Sequence, residues 1–165
     1  MATVFDPESL RPVALIDGDD EEETRLLREA AREAEQYLRS FRWCLSVRDA
    51  RFGDGIGGIV GVFLFRADVA NVGDEWLWVV AGDLPSAYLV VDELPTAVEA
   101  LDRYCGLMME WVAAVREGRA LDDVYPVRAE PTAEMARTLE SRVAVLRDVV
   151  IPELRLPRSA DDQPS

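Results

Sequence analysis

The chain has no histidine, and all 18 of its basic residues are arginines, so it has no lysine either. Without histidine it cannot build a Ser-His-Asp triad, a histidine metal site or an imidazole proton relay. Without lysine it can form neither a lysine Schiff base nor a P-loop. The carboxylates, cysteines, tyrosines and hydroxyl residues that remain show no recognisable catalytic spacing. The sequence therefore favours a protein that is not an enzyme, without deciding the question, and predicts no catalytic residue, metal ligand or cofactor.

Two segments have the composition of a ligand-binding loop but lack its spacing. Residues 17–23 are rich in carboxylates, yet an EF-hand needs alternating acids, then a glycine and a glutamate that closes twelve residues. A solvated acidic start of a helix explains them better. Residues 53–58 contain four glycines, but a dinucleotide-binding loop leads from a strand into a helix. A second strand follows here, so we predict a hairpin loop whose glycines supply positive φ.

The strongest candidates for a binding site lie on and after one predicted strand. Trp76 and Trp78 are two residues apart, so in a strand both rings point to the same face, where they can anchor a partner, stack on a ligand or form core. Asp83 follows in a turn, where a carboxylate either caps its own backbone or serves a site. Tyr88 begins the next strand. We take these four residues as the candidate binding set.

Charge and cysteine usage limit the partners and the compartment. The net charge is −14, and half of it lies in residues 1–23, which hold eight carboxylates and one arginine. This balance disfavours nucleic acid and anionic membranes as partners but permits a basic protein. Cys44 and Cys105 form no disulfide framework, no signal peptide is evident, and no apolar run is long enough to span a membrane. We therefore expect a cytoplasmic protein with reduced thiols.

The elements that would position these residues follow from hydrophobic periodicity. After an irregular arm over residues 1–16, a 3.6-residue period predicts an amphipathic helix over about 20–39, with Asp20 as its cap and Glu23 as the capping-box partner. Four strands joined by short turns then predict an antiparallel meander. Two more helices follow, capped by Thr96 and Thr132, and the second is expected to end at Pro152. We expect residues 157–165 to form a frayed tail.

The order α-β-β-β-β-α-α predicts a single α+β domain over residues 1–165, in which three helices pack on a four-stranded antiparallel sheet. Three of the strands are apolar on both faces, which a sheet with one solvated face does not require. Either helices cover both faces or the second face meets another molecule. A homodimer is one form of the second alternative.

One stretch resembles a known group of proteins. The segment from Trp76 to Pro85 is followed by a helix that carries Ala97, Ala100, Leu101 and Tyr104, and then by Trp111. It is similar to small bacterial proteins classed as domains of unknown function, which share a W-V-x-x-G-D-L-P-like strand and turn. The resemblance covers about residues 75–112 and implies a bacterial, cytoplasmic origin, with no activity and no site residues to carry over.

Two functions from different classes remain open. The first is a non-enzymatic, acidic protein-binding domain, for example an immunity or inhibitor protein that blocks a basic toxin by charge complementarity. The second is a small-molecule-binding or regulatory domain with a pocket between sheet and helices, lined by Trp76, Trp78 and Tyr88. A metal-dependent hydrolase is disfavoured, because no cluster of acids has the spacing of metal ligands.

Overall fold

The structure is a computed structural model that describes residues 4–156. Five antiparallel strands lie side by side in chain order, and helices pack on both faces of the sheet. The strands are β1 (Arg11–Pro12), β2 (Cys44–Ile56), β3 (Val60–Val69), β4 (Gly73–Gly82) and β5 (Ala87–Val90), and the helices are α1 (Glu21–Arg39), α2 (Ala97–Glu117), α3 (Ala133–Val145) and α4 (Ile151–Arg155). The predicted α+β class and antiparallel meander are confirmed.

The prediction of four strands is wrong, because the N-terminal arm adds β1 at the edge of the sheet. Its two residues pair with Arg51 and Phe52 of β2. The Arg51 guanidinium also donates to the Leu10 carbonyl oxygen at 3.0 Å. A strand of two residues has no sequence period, so only the contact with β2 reveals it. The predicted tail, residues 157–165, lies outside the described residues, as do residues 1–3 of the arm.

A hairpin joins β2 to β3 in the glycine-rich segment, as predicted, but its turn is shorter than residues 53–58 because most of that segment is strand. Strand β2 continues to Ile56, and of the four glycines only Gly58 has a positive φ, at 85°. A Cβ atom on Gly53 would lie 2.7 Å from the Ala97 side chain, and one on Gly55 would lie 2.6 Å from the Val60 carbonyl oxygen. The glycines at 53 and 55 therefore permit close packing within and against the sheet.

Helices cover both faces of the central strands, which explains why those strands are apolar on both sides. Helix α2 packs on the face that carries Trp78, and α3 packs on the outer side of α2. Helix α1 packs on the opposite face, against Phe63 and Phe65 of β3. The first of the two alternatives drawn from the apolar strands is thus the observed one. Self-association stays a prediction, but the two-sided apolar strands no longer argue for it.

The predicted end of the third helix at Pro152 is wrong, because the helix continues to Arg155 through a five-residue π turn, Leu146–Val150. A proline inside a helix has no N–H to donate and its ring crowds the carbonyl of the residue four positions earlier. A wider π turn before Pro152 relieves this conflict locally. Within residues 4–156 we find no helix with the length and apolar character needed to cross a bilayer.

The predicted starts of the three long helices are confirmed. Asp20, Thr96 and Thr132 each accept a hydrogen bond from the backbone N–H three residues on. Gly118 ends α2 with φ of 65°, the left-handed conformation that glycine adopts without strain.

Candidate functional site

The four residues of the predicted binding set do not form one site. Trp78 is 1% exposed, and its indole N–H donates to the Leu94 carbonyl oxygen at 2.9 Å. A buried ring whose polar atom is already paired is core and is not free to meet a ligand. Trp76 lies on the same face of β4, as predicted, and is half-buried beside that core.

Tyr88 lies on the other face of the sheet. In the register between β4 and β5 it pairs with Val79, whose side chain packs under α1, whereas Trp78 pairs with Leu89 under α2. Adjacent residues of a strand point to opposite faces. The pocket expected from Trp76, Trp78 and Tyr88 together is therefore absent from the part of the chain that the structure describes.

Asp83 is exposed at the turn after β4 and is held in place by the third helix. The Arg142 guanidinium donates through Nε to the Asp83 carbonyl oxygen at 2.8 Å, and its Nη2 lies 3.2 Å from the Asp83 carboxylate. The carboxylate therefore does not cap its own turn, which the sequence offered as the alternative. It stands at one end of a groove that the sequence did not predict.

This groove runs between α1 and the hairpin that joins β2 to β3, and it has a volume of about 330 Å³. Its floor is apolar and its rim carries carboxylates and glycines. It brings together three features that the sequence singles out separately: the acidic helix, the glycine-rich hairpin and the turn at Asp83. The residues that line it are Leu26, Leu27, Glu29, Ala30, Glu33, Ile56, Gly57, Gly58, Ile59, Val60, Gly82 and Asp83.

A side chain of α1 fixes the hairpin against the helix. The capping box predicts that the Glu23 carboxylate returns to the backbone N–H of Asp20. Instead, Glu23 Oε2 accepts a hydrogen bond from the Gly57 N–H at 3.0 Å. A Cβ atom on Gly57 would lie 2.6 Å from the same oxygen. Glycine at this position therefore lets the hairpin approach α1 and closes one end of the groove.

A second glycine brings the end of β4 to the same place. Gly82 has φ of 140°, and a Cβ atom there would lie 2.6 Å from the Ile59 carbonyl oxygen. The next residue, Asp83, donates its backbone N–H to that carbonyl at 3.1 Å. The hairpin and the turn are thus joined by backbone contact, and Ile59, 37% exposed, is left at the mouth of the groove.

The rim of the groove is acidic. Glu29 and Glu33 lie one turn apart on α1, and Asp83 lies on the turn after β4. Glu29 lies 3.2 Å from Arg25, and Asp83 pairs with Arg142, but Glu33 makes no ion pair among residues 4–156. None of the arginines in residues 4–156 lines the groove. A cation with an apolar stem would meet both charge and surface that complement it.

A cluster of aromatic rings lies at the other end of α1. Tyr37 and Phe41 meet edge to face with ring centroids 5.1 Å apart, and Phe41 stacks on Trp43 at 5.0 Å. Tyr88 packs edge-on against both Phe41 and Trp43. We call the space between the perpendicular faces of the Tyr37 and Phe41 rings the aromatic corner. Tyr88, the fourth residue of the predicted binding set, belongs to this aromatic cluster.

The chemistry available to nucleophiles and metals in the described part of the chain is limited. Burial raises the pKa of the Cys105 thiol to about 11, so the thiol is protonated at neutral pH. Burial also raises the pKa of Cys44 above its ordinary value. Over residues 4–156 we find no group of three cysteine, aspartate and glutamate side chains placed to hold a metal ion.

Sequence reasoning missed Glu29, Glu33 and Ile59 as site residues. One signal was available: the apolar stripe of α1 is wider than one packed face needs, because Leu26 lies beside Leu27. Leu27 is buried and Leu26 is half-buried on the groove. The hairpin that completes the groove is brought there by tertiary contacts that no local pattern encodes.

Comparison of the chain with protein-family models, curated proteins and solved structures found no match. The resemblance drawn from residues 75–112 therefore stays a prediction, and the candidate site stands on its own geometry.

Proposed function

We propose that this chain is a non-enzymatic, acidic protein-binding domain that receives a basic segment of its partner in the groove between α1 and the β2–β3 hairpin. The observation that carries the proposal is the combination of an apolar floor with a rim of three carboxylates, of which Glu33 makes no ion pair within residues 4–156, and no arginine among the described residues that line the groove. The groove is open to solvent along α1, so a side chain can enter it from a flat protein surface.

The chemistry of the groove defines its occupant. An arginine or lysine side chain has an aliphatic stem and a cationic head. Such a stem could lie on Leu26 and Ile59 while the head reaches Glu33, the rim carboxylate that has no ion pair among the described residues. A neutral or acidic segment would leave the rim without a counter-charge.

Charge elsewhere on the chain suits the same kind of partner. The acidic segment before and at the start of α1 is exposed, and Asp17, Asp19 and Glu21 make no ion pair in the described part of the chain. Exposed charge of one sign steers an oppositely charged partner and speeds the encounter. An immunity or inhibitor protein that blocks a basic toxin is one concrete form of this function.

The test begins with capture of the partner by the tagged chain from host lysate at low salt, followed by measurement of its Kd for purified variants. The double variant Glu29→Gln/Glu33→Gln keeps the shape of the groove and removes two rim charges. We expect it to weaken binding by about tenfold, since each exposed charge pair contributes up to about 1 kcal/mol.

A matched control separates the groove from general electrostatics. Asp102→Asn/Glu110→Gln removes the same amount of charge from exposed positions on α2, remote from the groove. It should leave Kd within about twofold of the native value, because remote exposed charges are screened by salt. Equal weakening by both double variants, or by neither, would contradict the groove as the binding site.

A further inference from the structure

The Arg128 guanidinium fills the aromatic corner and contacts two aromatic rings instead of a carboxylate. Its guanidinium carbon lies 4.7 Å from the centroid of the Tyr37 ring and 4.8 Å from that of Phe41. One of its nitrogens donates to the Ser40 hydroxyl at 2.8 Å. Although carboxylates outnumber arginines 32 to 18 in the chain, Arg128 makes no ion pair among residues 4–156.

These contacts match the way proteins bind a cationic ligand. Two perpendicular rings face one cation, and both distances are within the range of a cation–π interaction. The Trp43 ring stacks behind Phe41 and fixes its orientation, and Tyr88 packs against both. A rigid set of aromatic faces requires little reordering when a cation arrives.

We propose that the aromatic corner is a binding site for the guanidinium group of an arginine on a protein partner, and that Arg128 occupies it as an internal stand-in. The site lies at the opposite end of α1 from the groove, and the proposal does not rest on the groove. Because Arg128 is itself exposed, the corner opens to solvent when this side chain leaves. The chain holds Arg128 beside the rings, so only a well-positioned partner arginine competes with it.

The segment between α2 and α3 carries Arg128, and it is attached to the fold by residues other than Arg128. The aromatic corner can therefore open without loss of the fold. The Tyr125 hydroxyl accepts the Tyr88 N–H at 2.9 Å and donates to the Tyr88 carbonyl oxygen at 3.0 Å. These bonds cover the free edge of β5, and the half-buried Val124 and Val127 pack against the core. Substitution of Arg128 therefore empties the corner and leaves this segment in place.

The direct test titrates methylguanidinium into Arg128→Gln and follows tryptophan fluorescence, since Trp43 stacks on the corner. Arg128→Gln should bind the probe saturably, at least about fivefold more tightly than the native chain, in which the tethered cation competes. Methylurea, a neutral analogue of similar shape, should give no saturable change. Absence of saturation in Arg128→Gln, or an equal response to methylurea, would overturn the proposal.

Two controls locate the effect. Arg119→Gln removes another arginine from the segment between α2 and α3. Arg119 pairs with Glu117 and makes no cation–π contact within the described part of the chain, so this variant should behave as the native chain does. Addition of Phe41→Leu to Arg128→Gln should abolish binding by removal of one wall. A response of Arg119→Gln equal to that of Arg128→Gln would assign the effect to net charge and overturn the proposal.

A measurement on the native chain keeps the proposal testable if Arg128→Gln does not fold. Ring currents from Tyr37 and Phe41 should shift the Arg128 Nε–H resonance. High methylguanidinium should move this resonance toward its unstructured position, while the buried Trp78 indole resonance stays unchanged. Movement of both resonances together would indicate general loosening and would contradict a specific site.

Discussion

The two faces of the sheet are covered in different ways. On the α2 face the layer between sheet, α2 and α3 is built from large buried side chains, among them Trp78, Tyr104, Met108 and Trp111. On the α1 face the middle of the helix contributes three small residues, Ala30, Ala31 and Ala34, which lie over the rings of β3, and Leu27 and Leu38 are buried on either side of them. The α2 face has a second helical layer outside it, whereas α1 is itself exposed along its outer side.

This difference indicates that the α2 face contributes most to stability, whereas the α1 face carries the candidate binding features. Large side chains that interlock across three elements hold the α2 face together, because each buries much apolar surface. The alanines in the middle of α1 let the helix lie close to the sheet, and other segments of the chain pack beside its two ends. The glycine hairpin completes one end as the groove, and the aromatic rings complete the other as the corner. Both candidate binding features therefore lie on the α1 side.

The largest expected effect breaks the α2 face. Trp111→Ala should lower the free energy of unfolding by about 3–5 kcal/mol, because a buried ring is lost and a cavity remains. Leu26→Ala in the groove should cost less than about 1 kcal/mol, since this side chain is only half-buried. Urea denaturation measures both. Similar losses for the two variants would contradict the separation of the faces.

The pH dependence of the free energy of unfolding compares the two faces through their thiols, Cys105 on the α2 face and Cys44 on the α1 face. With the folded pKa of Cys105 near 11 and a reference value of 9.0, the unfolded chain releases this proton first as pH rises. The stabilising contribution is complete below pH 9 and is lost between pH 9 and 11, by about 3 kcal/mol. Cys105→Ala should reduce this pH-dependent loss of stability more than Cys44→Ala does, because Cys44 is only half-buried on the α1 face. Urea denaturation at each pH provides the measurement, and equal slopes for the two variants would contradict the assignment.

Two glycines offer a matched pair of smaller effects. Gly82→Ala should destabilise the fold by about 1–3 kcal/mol, because a Cβ atom meets the Ile59 carbonyl oxygen and φ is 140°. Gly106→Ala in the interior of α2 should stabilise it by about 0.5–1 kcal/mol, since its Cβ atom meets nothing within 4 Å. Thermal denaturation gives both signs, and a Gly82→Ala variant as stable as the native chain would show that neither the close approach nor the φ requires glycine at this position.

The smallest effect concerns the encounter with a partner. Neutralisation of Asp17, Asp19 and Glu21 should slow association by about two- to tenfold at low salt and leave dissociation nearly unchanged. Neutralisation of Asp102, Glu110 and Asp148, exposed carboxylates outside the groove, is the control. Stopped-flow mixing with the captured partner at two salt concentrations measures the effect. An unchanged association rate would remove steering from the account.

The sequence was sufficient for elements whose signal is local. The start of α1 at Asp20, the cap of α2 at Thr96 and the left-handed Gly118 each depend on the chemistry of a few adjacent residues. The meander was predictable because short turns force successive strands to pair. The same local logic failed at Pro152, where the π turn absorbs the missing hydrogen bond.

The site depended on contacts between distant segments and was largely out of reach. Glu23 satisfies a capping pattern equally well whether its carboxylate returns to Asp20 or crosses to Gly57, 34 residues away in sequence. Hydrophobic periodicity predicts which residues lie in each strand but not how two strands pair, so it groups Trp78 and Tyr88 in one pocket. A pairing register assigns every side chain to a face, and it placed these two apart.

The most direct test of the central claim is hydrogen exchange of the free chain and of the chain bound to its captured partner. If the α1 side is the binding surface, amides over residues 26–33, 56–60 and 82–83 should exchange more slowly in the complex. Amides of α3 and the π turn, where Val145 and Val149 are exposed, should be unchanged. Protection of α3 with no change at the groove would contradict the account and place the partner on the opposite side of the molecule.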